Sequence, residues 1–265
     1  MKRPGEIIKS YKKNKKASVT IYIVVRTLII VCIILQIFRG EFENAFLCLF
    51  YLILLMLPII IQDKFKIKLP NLLEIIIYLF IFSGTVLGGI YNFYGHLPHW
   101  DTILHAISGF ICAGIGFALV DLLNKSSKKI KLSPFYIVFV AFCFSMTAGV
   151  CWEFFEYGAD KLFQTDMQKD AITKTISTVE LDPLKSNRSV VIRNIDKTIM
   201  YDKDGKELAV IEGGYLDIGI NDTMKDLLSN FIGAVVFSIL GYFYMGGDED
   251  RHKLANNFIP KRVEK

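Results

Sequence analysis

Three apolar stretches of this chain each end in acidic or histidine side chains, reached by small residues at every fourth position. The first reads Asp101, His105, Gly109, Ala113; the second Ala141, Ser145, Gly149, Glu153; the third Asp222, Asp226, Asn230, Ala234, Ser238. Residues four apart share nearly one face of a helix. Small faces let helices in lipid approach closely, so the stripes are the expected contact lines of three helices. Contact along them would gather Asp101, His105, Glu153, Asp226 and Asn230 in one place. Ionisable side chains at membrane depth cost about 2.5–3.5 kcal/mol each on an insertion scale, which makes them functional-site candidates by default.

An imidazole among carboxylates suits three tasks. Asp101, His105, Glu153 and Asp226 offer hard oxygens and one ring nitrogen, the donor set of a divalent cation. Burial and crowded like charge would let one of these carboxyls hold a proton near neutrality. Asp101 and His105, one turn apart, could also set an imidazole as general base, so the same four residues are the catalytic candidates. Glu156, Asp222 and Asn230 are candidate binding residues around them. Ser108, Ser145 and Ser229 lie nearby in sequence, but none sits in a nucleophile motif.

Plainer readings compete for several of these positions. Asp101 suits the N-cap of its helix, and Asp222 or Asn221 the N-cap of another. Glu156 could simply face water at a helix end. His105, Glu153, Asp226 and Asn230 fall within apolar register, where capping cannot explain them. For those four the alternatives are function or an interhelical hydrogen-bond network. Trp100 and Trp152 fit the interfacial aromatic belt, while His96 and His99 are loop neighbours of the site.

The elements that must position these residues are membrane helices. The 265 residues are 52% hydrophobic with a mean hydropathy of +0.40, and the apolar excess is concentrated in runs. Windows of about 20 residues give an all-α integral membrane protein with six spans. They are 18–38, 43–61, 71–91, 101–121, 134–156 and 223–245. Residues 1–17 form a basic N-terminus read as an uncleaved anchor's flank, 157–221 an exoplasmic insert, and 246–265 a tail.

Charge orients the chain. With both termini cytoplasmic, the basic clusters at 2–16, 64–68, 125–131 and 251–265 all lie inside, and the short outer loops carry only Arg39. The insert holds nine Lys and Arg, but loops of that length translocate largely regardless of charge. Asp101, His105, Glu153, Glu156, Asp222, Asp226 and Asn230 then all fall at outer helix ends. The net charge of +5 is accounted for by topology and anionic lipid, so nucleic acid is not an expected partner. All five cysteines lie in apolar segments, which implies no disulfide framework.

Smaller features complete the pattern. Arg26 either snorkels to the inner face or pairs with Glu74. Gly84, Gly88 and Gly89 soften span three, and His252 reads as a solvated cytoplasmic residue. In the insert, Lys197–Tyr201 and Lys206–Ile211 are β-prone runs around an Asp202-Lys203-Asp204-Gly205 turn, with Ser189–Ile192 as a third strand. Asp202 and Asp204 resemble part of a calcium loop, but Met200 would hold its first ligand position, so a hairpin turn is expected.

His99-Trp100-Asp101-Thr102-Ile103-Leu104-His105 with Gly109-Phe110, Trp152-Glu153-Phe154-Phe155-Glu156, and Asp222-Thr223-Met224-Lys225-Asp226 with Asn230 and Gly233-Ala234 together resemble the YjdF family. These are uncharacterised multi-pass bacterial inner-membrane proteins. The order of histidine helix, glutamate helix and Asp…Asn-x-x-Gly-Ala helix is more loosely similar to VanZ-like proteins, some of which are linked to glycopeptide tolerance. The resemblance implies a bacterial plasma-membrane protein and marks Asp101, His105, Gly109, Glu153, Asp226, Asn230 and Gly233 as shared positions. The long 157–221 insert departs from the short VanZ-like loop. The reading is an outward-facing pocket, with or without a divalent cation, that binds or processes an envelope lipid or peptidoglycan precursor. A proton- or cation-coupled transporter and a non-catalytic assembly or signalling protein are the alternatives.

Overall fold

A computed structural model describes residues 16–65, 67–126, 131–245, 258–259 and 261–262. The basic N-terminal residues up to 15, His252 and most of the tail lie outside the described residues. Among the described residues, six helices are long and apolar enough to cross a membrane: Ala17–Arg39, Phe42–Lys64, Asn71–Ile90, Trp100–Lys125, Pro134–Phe163 and Ile220–Met245. The chain divides into two compact units, Met1–Gly149 with Asp226–Lys265, and Val150–Lys225.

In the first unit, α1 (Lys16–Arg39) turns at Gly40, whose φ of +77° suits glycine, into α2 (Phe42–Leu54). Val25, Ile29 and Cys32 of α1 pack against Cys48 and Leu55, with Tyr78 and Val86 from span three. Span two, expected as one helix, is broken near Leu55–Met56 and resumes as α3 (Leu57–Phe65). Pro58 explains the break, because it lacks the N–H that would bond one turn back and its ring crowds that carbonyl.

Beyond the break, β1 (Ile67–Lys68) leads into α4 (Asn71–Phe82). The Gln62 amide donates to Glu74 Oε1 at 2.7 Å, and Leu69 N donates to Gln62 Oε1 at 2.9 Å. Of the two readings for Arg26, pairing with Glu74 is not the one among the described residues: Glu74, fully buried, accepts from Gln62, and Arg26 Nη1 donates to Tyr22 Oη on its own helix at 3.5 Å. Span three finishes as a π-helical stretch, Ser83–Ile90. Its glycines admit an aromatic ring: a Cβ on Gly88 would lie 2.7 Å from Tyr94 Cζ, and the Tyr94 hydroxyl donates to Gly84 O at 3.1 Å.

The short α5 (Phe93–His96) precedes α6 (Trp100–Ser126), which packs with α7 (Pro134–Phe163) and α8 (Ile220–Met245). Their shared core is Ala113, Phe117, Ile137, Val138, Ala141, Ala234 and Phe237, and Ile259 from the C-terminal segment is buried in it. Phe258 meets Phe110 edge-on at 5.2 Å between centroids.

The second unit is the insert with its flanking helix ends. Helix α7 runs seven residues past its expected end at 156, because nothing interrupts it until Gln164 takes a positive φ of 55°. There the Asp160 carboxylate accepts from Met167 N and Gln168 N, at 2.6 and 2.9 Å, and fixes the chain's exit. Six short strands follow: β2 (Ala171–Thr173), β3 (Thr175–Thr178), β4 (Val190–Arg193), β5 (Lys197–Tyr201), β6 (Glu207–Glu212) and β7 (Tyr215–Asp217). They form antiparallel pairs β2–β7, β3–β4 and β5–β6, and β1 pairs with β8 (Lys261–Arg262) in the first unit.

The expected hairpin is β5–β6. Asp202 Oδ1 closes its turn by accepting from Asp204 N and Lys206 N, at 2.9 and 2.8 Å, and Gly205 takes the positive φ of 79°. The expected third strand is β4, offset by one residue and paired with β3, a partner that had no sequence signal.

Candidate functional site

Helices α6 and α8 touch backbone to backbone. A Cβ on Gly109 would lie 2.8 Å from Asn230 C and closer to Asn230 O. A Cβ on Gly233 would lie 2.9 Å from both Ala106 C and Phe110 N, and closer to Ala106 O. Only glycine permits this approach, which is the small-face packing expected of helices in lipid. Helix α7 joins below the site through Ser145 Oγ, which donates to Gly109 O at 2.8 Å. Asn230 Nδ2 donates to Ser145 O at 3.3 Å and to Met146 Sδ at 3.5 Å. A Cβ on Gly149 would come within 2.8 Å of that Asn230 amide.

One to two turns toward the helix starts, this packing brings three ionisable groups together. His105 Nε2 lies 3.4 Å from Asp101 Oδ1 and 3.8 Å from Asp226 Oδ2. One donor atom from each of Asp101, His105 and Asp226 falls within 4.8 Å of the others. Ligands about 2.0–2.2 Å from a shared ion sit about 3.0–3.5 Å apart, so small side-chain shifts would let this trio bind one cation. Burial is graded: the Asp226 side chain is fully buried, that of His105 is 11% exposed and that of Asp101 24%.

Asp101 lies within the first turn of α6, which starts at Trp100, so its carboxylate faces His105 one turn on instead of sitting at the cap position. Asp226 and Asn230 occupy successive turns of α8 and are both buried. Asn230 donates its amide to α7, which makes it part of the interhelical lock.

Glu153, Glu156 and Asp222 belong to the second unit. Glu153 and Glu156 are buried, at 4% and 7% exposure. Glu156 does not face water as the plain reading had it: it accepts from Trp152 Nε1 at 2.8 Å. Asp222 Oδ2 accepts from Lys169 N at 2.8 Å and is not the cap of α8. That helix begins two residues earlier, where the Asp217 carboxylate accepts from Asn221 N at 2.8 Å. His99 precedes α6 with a positive φ of 64°, and His96 ends α5.

Sequence reasoning passed over Thr102, next to Asp101, and Met146, whose sulfur accepts from Asn230. The oxygen of Thr102 is buried without a hydrogen-bond partner among the described residues, as is the indole nitrogen of Trp100, whose ring packs edge-on to Phe93 at 5.2 Å. A hydroxyl beside an Asp-x-x-x-His pair was the only available hint, and threonine is too common in helices for that to stand out.

The family model of DUF2238, predicted membrane proteins, matches residues 20–247. An uncharacterized protein of Thermotoga maritima is 30% identical over 95 residues, which is 36% of this chain and 47% of that protein. The chain thus spans about half the length of that curated relative. No solved structure matches the chain. With six apolar helices and a family match covering nearly all of them, the chain belongs to the DUF2238 family of multi-pass predicted membrane proteins.

Proposed function

We propose that Asp101, His105 and Asp226 form a divalent-cation site at the outer surface of a bacterial plasma membrane, with both termini cytoplasmic. There the protein binds or processes an envelope lipid or peptidoglycan precursor. The observation that carries this reading is Asp226, a carboxylate fully buried in an apolar helix and facing an imidazole that also faces Asp101. A buried carboxylate needs a compensating charge, which a protonated imidazole or a cation supplies. Orientation rests on the basic loops read from the sequence, and the kinship to the YjdF family is part of the same proposal.

Bound there, a divalent ion would supply Lewis acidity to an incoming oxygen. Without the ion, His105 and Asp101 would instead hold or move a proton between them. The transport alternative is less well supported, because inward of Asn230 the three helices are filled by Phe117, Ile137, Phe237 and Ile259.

Elemental analysis of protein purified without chelator tests the reading. One divalent ion per chain is expected, lost in His105→Ala and Asp226→Ala. Metal-free protein that takes up none of magnesium, manganese, calcium or zinc on titration refutes it.

A further inference from the structure

We propose that Thr102 donates its hydroxyl to a phosphoryl oxygen bound on the Asp101–His105–Asp226 cation; this rests on the cation reading above. Three observations converge on it. Thr102 Oγ1 is buried without a partner among the described residues, in the first turn of α6, where the carbonyl one turn back precedes the helix. It adjoins Asp101 in sequence and lies one turn before Ala106, whose carbonyl abuts Gly233, so Thr102 is on the α6 face turned toward α8. Its neighbour Ile103 is 52% exposed, which puts an open apolar surface next to the polar cluster.

The chemistry narrows the ligand. Two carboxylates and an imidazole can balance a divalent charge, yet three donors leave coordination positions free on a hard cation. Such ions complete their shells with water or phosphate oxygens. A phosphoryl group has several oxygens, so one can bind the ion while another accepts from a hydroxyl. Carboxylates only accept, so beside this ion a hydroxyl donor favours an anionic ligand. A lipid phosphate, its chains along the exposed side of α6, or a free phosphate shares this chemistry.

The test uses full-length protein in nanodiscs of zwitterionic lipid, loaded with manganese. Inorganic phosphate is titrated and followed by manganese-induced broadening of its phosphorus resonance. Wild type should broaden it saturably; Thr102→Val should weaken phosphate about 5- to 20-fold while manganese affinity stays unchanged, and Thr102→Ser should retain wild-type binding. Equal phosphate affinity in Thr102→Val and wild type overturns the proposal, as does manganese-loaded protein that binds no phosphate, with the cation reading left standing. Failure to bind manganese removes both. Adding phosphatidic acid to the disc separates the sources: displacement of inorganic phosphate identifies a lipid phosphate, and undiminished binding identifies a soluble one.

Discussion

Gly233→Ala is the sharpest probe of how α6 and α8 are held. The new methyl carbon would start 2.9 Å from Ala106 C and Phe110 N, and nearer still to the Ala106 carbonyl oxygen. These are backbone atoms of a neighbouring helix, so no side-chain rotation relieves the clash. The helices must part by on the order of 1 Å, losing dispersion contacts along their seam. Overpacking of this kind costs about 1–3 kcal/mol, and a clash on backbone belongs at the upper end, about 3 kcal/mol or roughly 150-fold in the folding equilibrium. The same parting opens the 3.8 Å gap between His105 and Asp226, so cation affinity should fall although no ligand is changed.

The assay is unfolding in mixed micelles with increasing sodium dodecyl sulfate, followed by circular dichroism, beside a metal titration. Gly158→Ala is the control, because a Cβ there meets nothing within 4 Å and the position is helical. It should be neutral or stabilising, by up to about 1 kcal/mol from helix propensity. If Gly233→Ala unfolds like wild type and binds metal equally well, the close approach of α6 and α8 is wrong.

Other consequences are as direct. Asp226→Asn keeps the shape of the site but removes its most buried charge; it should fold, as judged by a monodisperse elution profile, and lose most divalent-ion affinity in a titration. Asp217→Ala should destabilise the start of α8 by about 1 kcal/mol by removing its cap, read as faster amide exchange at Asn221. Hydrogen bonds from Ser186 Oγ and from the backbone of Leu184, Arg188 and Ser186 hold the Asp182 carboxyl below its usual range. A depressed carboxyl stabilises above its unfolded pKa, about 3.9, and that contribution is lost as pH falls through the lower folded value. Limited proteolysis should therefore cut near residues 182–188 faster at pH 3 than at pH 5, and an unchanged cutting rate would contradict this.

Much of the fold was legible because lipid constrains sequence heavily. Span lengths follow from bilayer thickness, and each expected span overlaps a helix of the structure. What escaped was decided by single residues against that background. Pro58 interrupts span two within an otherwise unbroken apolar run, where hydropathy averages over it. Helix α7 continues to Phe163 because amphipathic residues past 156 can extend a helix beyond the apolar run. Strand β4 was visible through its branched residues, but its partner β3, with Thr175, Ser177 and Thr178, carries the weaker pattern of an exposed ladder. Charge alone offered Glu74 as one of two settings for Arg26; geometry gave it to Gln62, twelve residues earlier.

The trio was legible for a different reason. Period-four spacing fixes a helix face, and small residues on that face suggest which helices meet, so Asp101, His105, Glu153, Asp226 and Asn230 were expected together; the structure brings donor atoms of Asp101, His105 and Asp226 within 4.8 Å of one another. The limit of that logic is depth and partner choice. Asn230 shares the stripe with Asp226 but lies one turn deeper, where α7 offers the Ser145 carbonyl, and its amide is taken up there. Stripe spacing alone could not separate a candidate ligand from a lock. The distinction matters for mutation: Asn230 and the two glycines hold the helices at the separation the trio requires, so changes there should alter the site and the packing together. Asp226→Asn, in contrast, keeps the side chain's shape while removing its charge and turning one accepting oxygen into a donor. Comparing metal affinity with unfolding midpoint across Gly109→Ala, Gly233→Ala, Asn230→Ala and Asp226→Asn should therefore sort them into two classes. Proportional losses are expected in the first three and loss of affinity alone in the last; a single common line would mean that the buried carboxylate is only part of the packing.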